Sequence, residues 1–208
     1  MIGSETLNDY LGRLASRNPT PGGGAAGALH AAQGAALVAM VARFTTGGKY
    51  EQYGQTTSRI ISAADRLIDE AIRLADADEV AFNDVIASYK LPAADDSERA
   101  ARAAAIQNAL VQAAQPPAQL IRMAGAVVEL AVELLDIANP NVISDIAAAA
   151  DAARAAATTG RVNIDINLVA IKDTQARAAL AEQTDGLEEK VVLAADALSR
   201  QVRERILR

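Results

Sequence analysis

The chain has 208 residues, 51% of them hydrophobic, a net charge of −6 and only 3% aromatic side chains. An acidic, aromatic-poor chain lacks the basic stacking surface of a nucleic-acid binder. With no cysteine and one histidine, His30, it has no disulfide, no thiolate nucleophile, and neither a cysteine-based nor a multi-histidine metal site. Abundant alanine and scarce aromatic and β-branched residues favour helix over sheet. The expectation is an all-α, single-domain bundle spanning 1–208, with long helices around a buried Ala/Gly-rich helix.

The opening MIGSETLNDYL carries no basic-then-apolar signal pattern, so a cytoplasmic protein is expected. Ser4 is placed to cap a short helix with Leu7, Leu11 and Leu14 on one face. RNPTPGGG breaks the chain, and Ala25 to Phe44 then reads as a helix apolar nearly all round. Gly23, Gly27, Ala31 and Ala35 fall four apart and give it a smooth side that other backbones can approach. About 20 residues can span a bilayer. The low transfer energy of alanine and glycine, together with His30 and Gln33, favours a buried central helix over a membrane segment. His30 is expected to be a core histidine bonded to backbone.

TTGGKYEQYG reads as a loop, followed by a long helix from about Gln55 to Tyr89 that Pro92 stops. Ser97 opens the next helix, which ends near QPP. Pro117 suits the first turn of another, ended by ANPN. Ser144 caps an Ala-rich helix to about Thr159. In RVNIDINLVAI the alternation of Val162, Ile164, Ile166 and Leu168 is strand-like, but the surrounding composition favours helix. Thr174 to Arg208 is a helix, or a pair broken near Gly186.

Several polar residues interrupt apolar patterns. Ala64, Ala71, Asp78 and Val85 are seven apart, so a carboxylate joins the packed stripe of the long helix. Buried there it needs a cation, donors or a raised pKa; at the stripe's edge it reaches water instead. In NPNVISD, Asn139, Asn141, Ser144 and Asp145 gather at a helix start, where loop asparagines and an N-cap read equally well. Asn163 and Asn167 share a helical face among apolar residues, either paired or facing a cavity. Lys49 and Tyr50 follow a glycine pair. Gly22, Gly23 and Gly24 precede a helix without a P-loop's strand or its Lys-Ser/Thr, and offer backbone N–H groups to an anion or a carbonyl oxygen.

In order along the chain, PTPGGG, GAALVAMVARFTTGGKY, DEVAF, YKLP, ERAARAAAIQNAL, NPNVISD and VNIDIN resemble the cyclodeaminase/cyclohydrolase family of folate one-carbon enzymes, over about Pro19 to Asp173. The resemblance implies an all-helical homodimer that binds folate in a cleft, with no metal, no added cofactor, and no nucleic-acid or membrane partner. It implies methenyltetrahydrofolate cyclohydrolase activity. The alternatives are formiminotetrahydrofolate cyclodeaminase activity, which releases ammonia, and a repurposed helical dimer that keeps the pocket. A chain without a fused transferase segment is expected here, which favours the cyclohydrolase. On the motif positions, Asp145 or Asp78 is the expected base, and Lys49 the proton donor or water-orienting group. Pro21, Gly22, Gly23, Gly24, Tyr50, Asn139, Asn141, Ser144, Asn163 and Asn167 are expected to bind substrate. The GGKY loop is shorter and less basic than is usual in the family, and Thr158 stands where an arginine is common.

Overall fold

The computed structural model describes Met1–Arg208, and its regular structure is entirely helical. Eight α-helices follow in order: α1 (Leu7–Leu14), α2 (Gly23–Phe44), α3 (Gly54–Tyr89), α4 (Asp96–Ala113), α5 (Gln115–Leu135), α6 (Ser144–Ala170), α7 (Thr174–Thr184) and α8 (Leu187–Ile206). Short 3-10 segments stand at Ile2–Ser4, Gly48–Tyr53 and Pro140–Val142.

The apolar run after the triple glycine forms the central helix, as its composition requires. Twelve of the 22 residues of α2 are buried, and α3, α5 and α6 enclose it on three sides. Its length and hydropathy would also suit a membrane span; here the apolar surface is satisfied by neighbouring helices. Small residues allow the close approach. A Cβ on Gly34 would meet the carbonyl oxygen of Ala149 at 3.1 Å, so α6 lies directly on the α2 backbone. Gly27 does the same for Leu120 and Thr159, while Ala31 and Ala35 are fully buried. Adding a side chain at Gly34 would overpack this contact at a cost of about 1–3 kcal/mol.

Most elements follow the expected order, with differences that have local causes. α1 is capped by Thr6, whose hydroxyl accepts from the Asp9 N–H at 3.1 Å, because Ser4 is held in the preceding 3-10 turn. That shifts the inward face: Tyr10 is buried, while Leu7 and Leu11 are exposed. Asp95, not Ser97, caps α4, accepting from the Glu98 N–H at 2.8 Å. Ser144 makes no capping bond, since the 3-10 turn before it runs straight into α6 and Ile143 is already helical. RVNIDINLVAI continues α6 as far as Ala170, so Ile164 points inward while Val162 and Ile166 point out. Alternation in sequence is consistent with opposite sides of a helix as well as of a strand. His30 is exposed, not a core residue, because it lies on the one side of α2 that no helix covers. Gly186 takes the left-handed conformation that separates α7 from α8.

Candidate active-site cleft

The site begins with the fastening of the segment ahead of α2. Arg13 in α1 pairs with Glu79 of α3 at 2.7 Å and with Glu5 at 3.1 Å. The Ile2 N–H donates to Asp76 at 2.7 Å. These contacts lay the N-terminal residues along α3. Asn83 donates to the Thr20 hydroxyl at 3.5 Å and holds the Pro19–Thr20 segment beside the same helix. The chain then turns through a cis Thr20–Pro21 bond and enters α2 with Gly22 as its extended N-cap.

Gly24 is the contact that defines the cleft. A Cβ there would overlap the carboxylate of Asp78, so the acid rests against bare backbone. Asp78 is half-buried, and burial pushes its carboxyl above the usual range. The Ala25 N–H beside it pulls the other way, and neighbouring Glu79 adds a smaller upward push. The seven-residue stripe therefore does carry an acid inward. It meets a helix N-terminus, whose first N–H groups lack intrahelical acceptors.

The cleft above Asp78 has a volume of about 390 Å³. The Pro19–Gly24 turn and α3 form two walls, and the end of α4, Pro117 and the C-terminal half of α6 close it. Asp78 is the only charged side chain lining it. From α6, the Asn163 amide donates to the Thr159 carbonyl at 2.8 Å, and that of Asn167 donates to the Asn163 carbonyl at 2.9 Å. Asn167 spends its second N–H on the Ala113 carbonyl at 3.5 Å, while Asn163 keeps one N–H, so the site offers two side-chain oxygens as acceptors and one amide donor to a ligand. Thr20 and Tyr89 are the other polar side chains of the lining, and Phe82 on α3 and Ile166 on α6 are among its apolar walls. A wider groove of about 530 Å³ between α3 and α5 has exposed Arg73 and Arg122 on its rim, with no carboxylate set against backbone.

The structure thus brings together Gly22, Gly23, Gly24, Asp78, Asn163 and Asn167, while Pro21 is buried behind the turn. It does not bring the other expected residues to this place within one chain. Lys49, Tyr50, Asn139, Asn141, Ser144 and Asp145 cluster at the far end of α2, a separation of about 33 Å at 1.5 Å per residue. There the Asn139 N–H donates to Thr45 Oγ1 at 3.0 Å, and its amide donates to the Phe44 carbonyl at 3.0 Å. Its Oδ1 also accepts from the Asn141 N–H at 3.1 Å. Asn139 is a clamp on the C-terminus of α2. Lys49 is exposed, with Nζ 5.0 Å from the Tyr50 ring centroid, and it forms no ion pair. Asp145 is half-buried in the first turn of α6, and Ser144 beside it is exposed.

Sequence reasoning missed Phe82, Tyr89 and Ile166 as cleft walls. The available signal was spacing: Phe82 follows Asp78 by one helical turn, in a chain with only two phenylalanines.

An all-helical domain that sets a desolvated carboxylate against a glycine turn and faces it with two amides defines a small-molecule site suited to proton transfer at a nitrogen-rich ligand. Residues 6–186 match the Formiminotransferase-cyclodeaminase family, and the chain belongs to it. It is 36% identical to the methenyltetrahydrofolate cyclohydrolase of Methylorubrum extorquens over 188 residues, 90% of each chain. It is 31% identical to mouse formimidoyltransferase-cyclodeaminase over 169 residues, 81% of this chain but 31% of the mouse protein. The crystal structure of formiminotetrahydrofolate cyclodeaminase from Thermotoga maritima superposes with a TM-score of 0.88 at 30% identity, covering 99% of this chain and 100% of that one.

Proposed function

We propose that this chain is a folate one-carbon enzyme that opens 5,10-methenyltetrahydrofolate to 10-formyltetrahydrofolate, acting in the cytoplasm as a one-domain homodimer without an added cofactor. The observation that carries the reading is the Asp78 carboxylate, seated on Gly24 in a cleft where it is the only charged group and faces two side-chain amides. The similarity to the Methylorubrum cyclohydrolase, which extends over nearly the whole of both chains, supports the choice of reaction.

The substrate's bridging carbon is a delocalised cation between N5 and N10. A carboxylate in a poorly solvated cleft attracts that cation more strongly than it would in water. Water adds to the bridging carbon, and Asp78 takes the proton it gives up. The resulting tetrahedral adduct loses its bond to N5, which must collect a proton, and the carbon remains on N10 as a formyl group. One water is consumed and one proton released overall. The raised proton affinity of Asp78 suits a base that must later give its proton back. Asn163 and Asn167 accept from the pterin edge, and Phe82 and Tyr89 flank the rings.

A second reading draws on the fold match to the Thermotoga cyclodeaminase. There, N10 would attack a formimino carbon on N5, and ammonia would leave. One absorbance experiment separates the two. The methenyl compound absorbs in the near ultraviolet, and ring opening abolishes the band. Enzyme-dependent loss of the band at neutral pH supports the cyclohydrolase. Its appearance from 5-formiminotetrahydrofolate, with no loss in the first assay, overturns that in favour of the cyclodeaminase. If neither change occurs, both reactions fail and the chain is not a folate one-carbon enzyme of either kind.

A further inference from the structure

The proposed substrate carries charge in two places, and the Asp78 cleft answers one of them. Besides its bridging cation, a folate ends in a p-aminobenzoyl-glutamate tail with two carboxylates. The cleft lining holds no cation to meet them. Carboxylates are costly to bury unpaired, so the tail must pass out of the lining to cations beyond it. The cleft also has a direction. Asp78, Gly24 and Asn163 mark the end closed by the glycine turn, and Tyr89 on α3 and Ala170 on α6 mark the other. From Asp78 to Tyr89 along α3 is about 16 Å at 1.5 Å per residue. By ordinary bond lengths the tail carboxylates lie about 10–13 Å from the bridging carbon. With that carbon at Asp78, a tail running along α3 brings them to the Tyr89–Ala170 end.

Three cations stand at that end. Lys90 follows Tyr89, and Lys172 lies just past Ala170. Arg102 is on α4, which folds back along α3, and it continues the face of Leu110 and Ile106 in steps of four. Leu110 lines the cleft, and Ile106 packs in the same apolar cluster. None of the three cations forms an ion pair. Arg102 Nε is buried without a hydrogen-bond partner, which leaves a charged donor unsatisfied. The acids of the same segments are engaged elsewhere. Asp95 accepts from the Glu98 N–H at 2.8 Å, Glu98 accepts from the Ala94 N–H at 2.7 Å, and Asp96 pairs with Arg99 at 2.6 Å. Asp173 accepts from the N–H groups of Gln175 and Ala176. Gln107 fixes the Lys172 backbone to α4: its amide donates to the Ala170 carbonyl at 3.3 Å, and its oxygen accepts from the Lys172 N–H at 2.6 Å.

We propose that Arg102, with Lys90 and Lys172 beside it, binds the glutamyl carboxylates of the substrate at the Tyr89–Ala170 end of the cleft. The assignment rests on the folate reading of the Asp78 site. Arg102 is the anchor, because a guanidinium can meet a carboxylate through two parallel N–H groups, while each lysine supplies a point charge. The arginines of the wider α3/α5 groove, Arg73 and Arg122, are walled off from Asp78 by Leu74, Pro116 and Leu120, which pack against it without room for a water. They serve as the control.

The test compares two tails on several variants. Arg102→Gln should raise KM for 5,10-methenyltetrahydrofolate by about tenfold or more and leave kcat within about twofold, the pattern of a contact made equally in ground and transition states. Lys172→Gln, at an exposed position that the fold tolerates, should raise KM by about threefold, and Arg122→Gln should change nothing. The same methenyl compound ending in a neutral benzamide should show a raised KM in the wild type and no further rise in Arg102→Gln. Equal KM values for the two tails in the wild type, or a rise in Arg102→Gln that is as large for the neutral tail, overturns the proposal and leaves the chemistry at Asp78 standing. If the wild type turns over neither the methenyl nor the formimino folate, the folate reading fails, and calorimetric titration with p-aminobenzoyl-glutamate against p-aminobenzamide decides the tail site. Binding of the first alone, lost in Arg102→Gln, upholds it; equal binding of the two, or none, overturns it.

Discussion

The two ends of α2 use the same materials for different purposes. At the N-terminal end glycine removes bulk, so that Asp78 can lie against backbone and stay poorly solvated while its cleft remains open. At the C-terminal end Gly47 and Gly48 take positive φ and turn the chain sharply, while Asn139 ties the last turn of α2 to the 3-10 turn that leads into α6. An asparagine on α6 near the first end leaves an oxygen for a ligand; the asparagine at the second end has spent its groups on the fold. A polar residue in a motif is therefore informative only once its hydrogen bonds are counted.

Substitutions should separate the ends sharply. The largest effect is expected from Asp78→Asn, which keeps the shape and removes the base. Turnover should fall by about 100-fold or more with helical content unchanged by circular dichroism. Asp145→Asn, away from the cleft, should stay within a few-fold of wild type; the reverse order would move the base to the other acid. Gly24→Ala comes next. Its methyl group must displace the Asp78 carboxylate, and a loss of roughly tenfold is expected for a misplaced catalytic group, read as kcat at saturating substrate.

Asn139→Ala should act chiefly on stability. It breaks the bond to the Phe44 carbonyl and frees the Asn141 N–H, at a cost of about 1–2 kcal/mol, visible as a lower midpoint in urea. An unchanged midpoint with lost activity would make Asn139 a substrate contact instead. The smallest effect concerns pH. Because burial raises the folded-state pKa of Asp78, the folded chain holds this proton more tightly than the unfolded one. Its contribution to stability is therefore lost as pH rises from about 4 through the raised value. Asp78→Asn should be as stable as wild type or slightly more so at pH 7, and should lose any such advantage below about pH 4.

Much of the fold was legible because alanine-rich apolar runs between Gly and Pro breaks leave few alternatives to packed helices. The boundaries of α2, α3 and α5 lie within a few residues of the breaks. The caps were less legible, since Thr6 and Asp95 each compete with a serine two residues away. His30 was misplaced because an apolar run with one polar residue does not reveal which side remains uncovered. Within the site, the inward direction of Asp78 followed from its seven-residue spacing, and the shared face of Asn163 and Asn167 followed from theirs. What spacing could not give was distance along the bundle. Lys49 and Asp78 are brought close in sequence reasoning by motif order, yet the length of α2 holds them apart in one chain.

The most direct test is kcat/KM for opening 5,10-methenyltetrahydrofolate, followed as loss of its near-ultraviolet band from about pH 4 to 8. If Asp78 is the base, activity should fall on the acid side with a midpoint above the ordinary carboxylate value of about 3.9, and that limb should vanish from the residual rate of Asp78→Asn. A wild-type rate without an acid limb, or the same limb and turnover in Asp78→Asn, would contradict the assignment of the cleft.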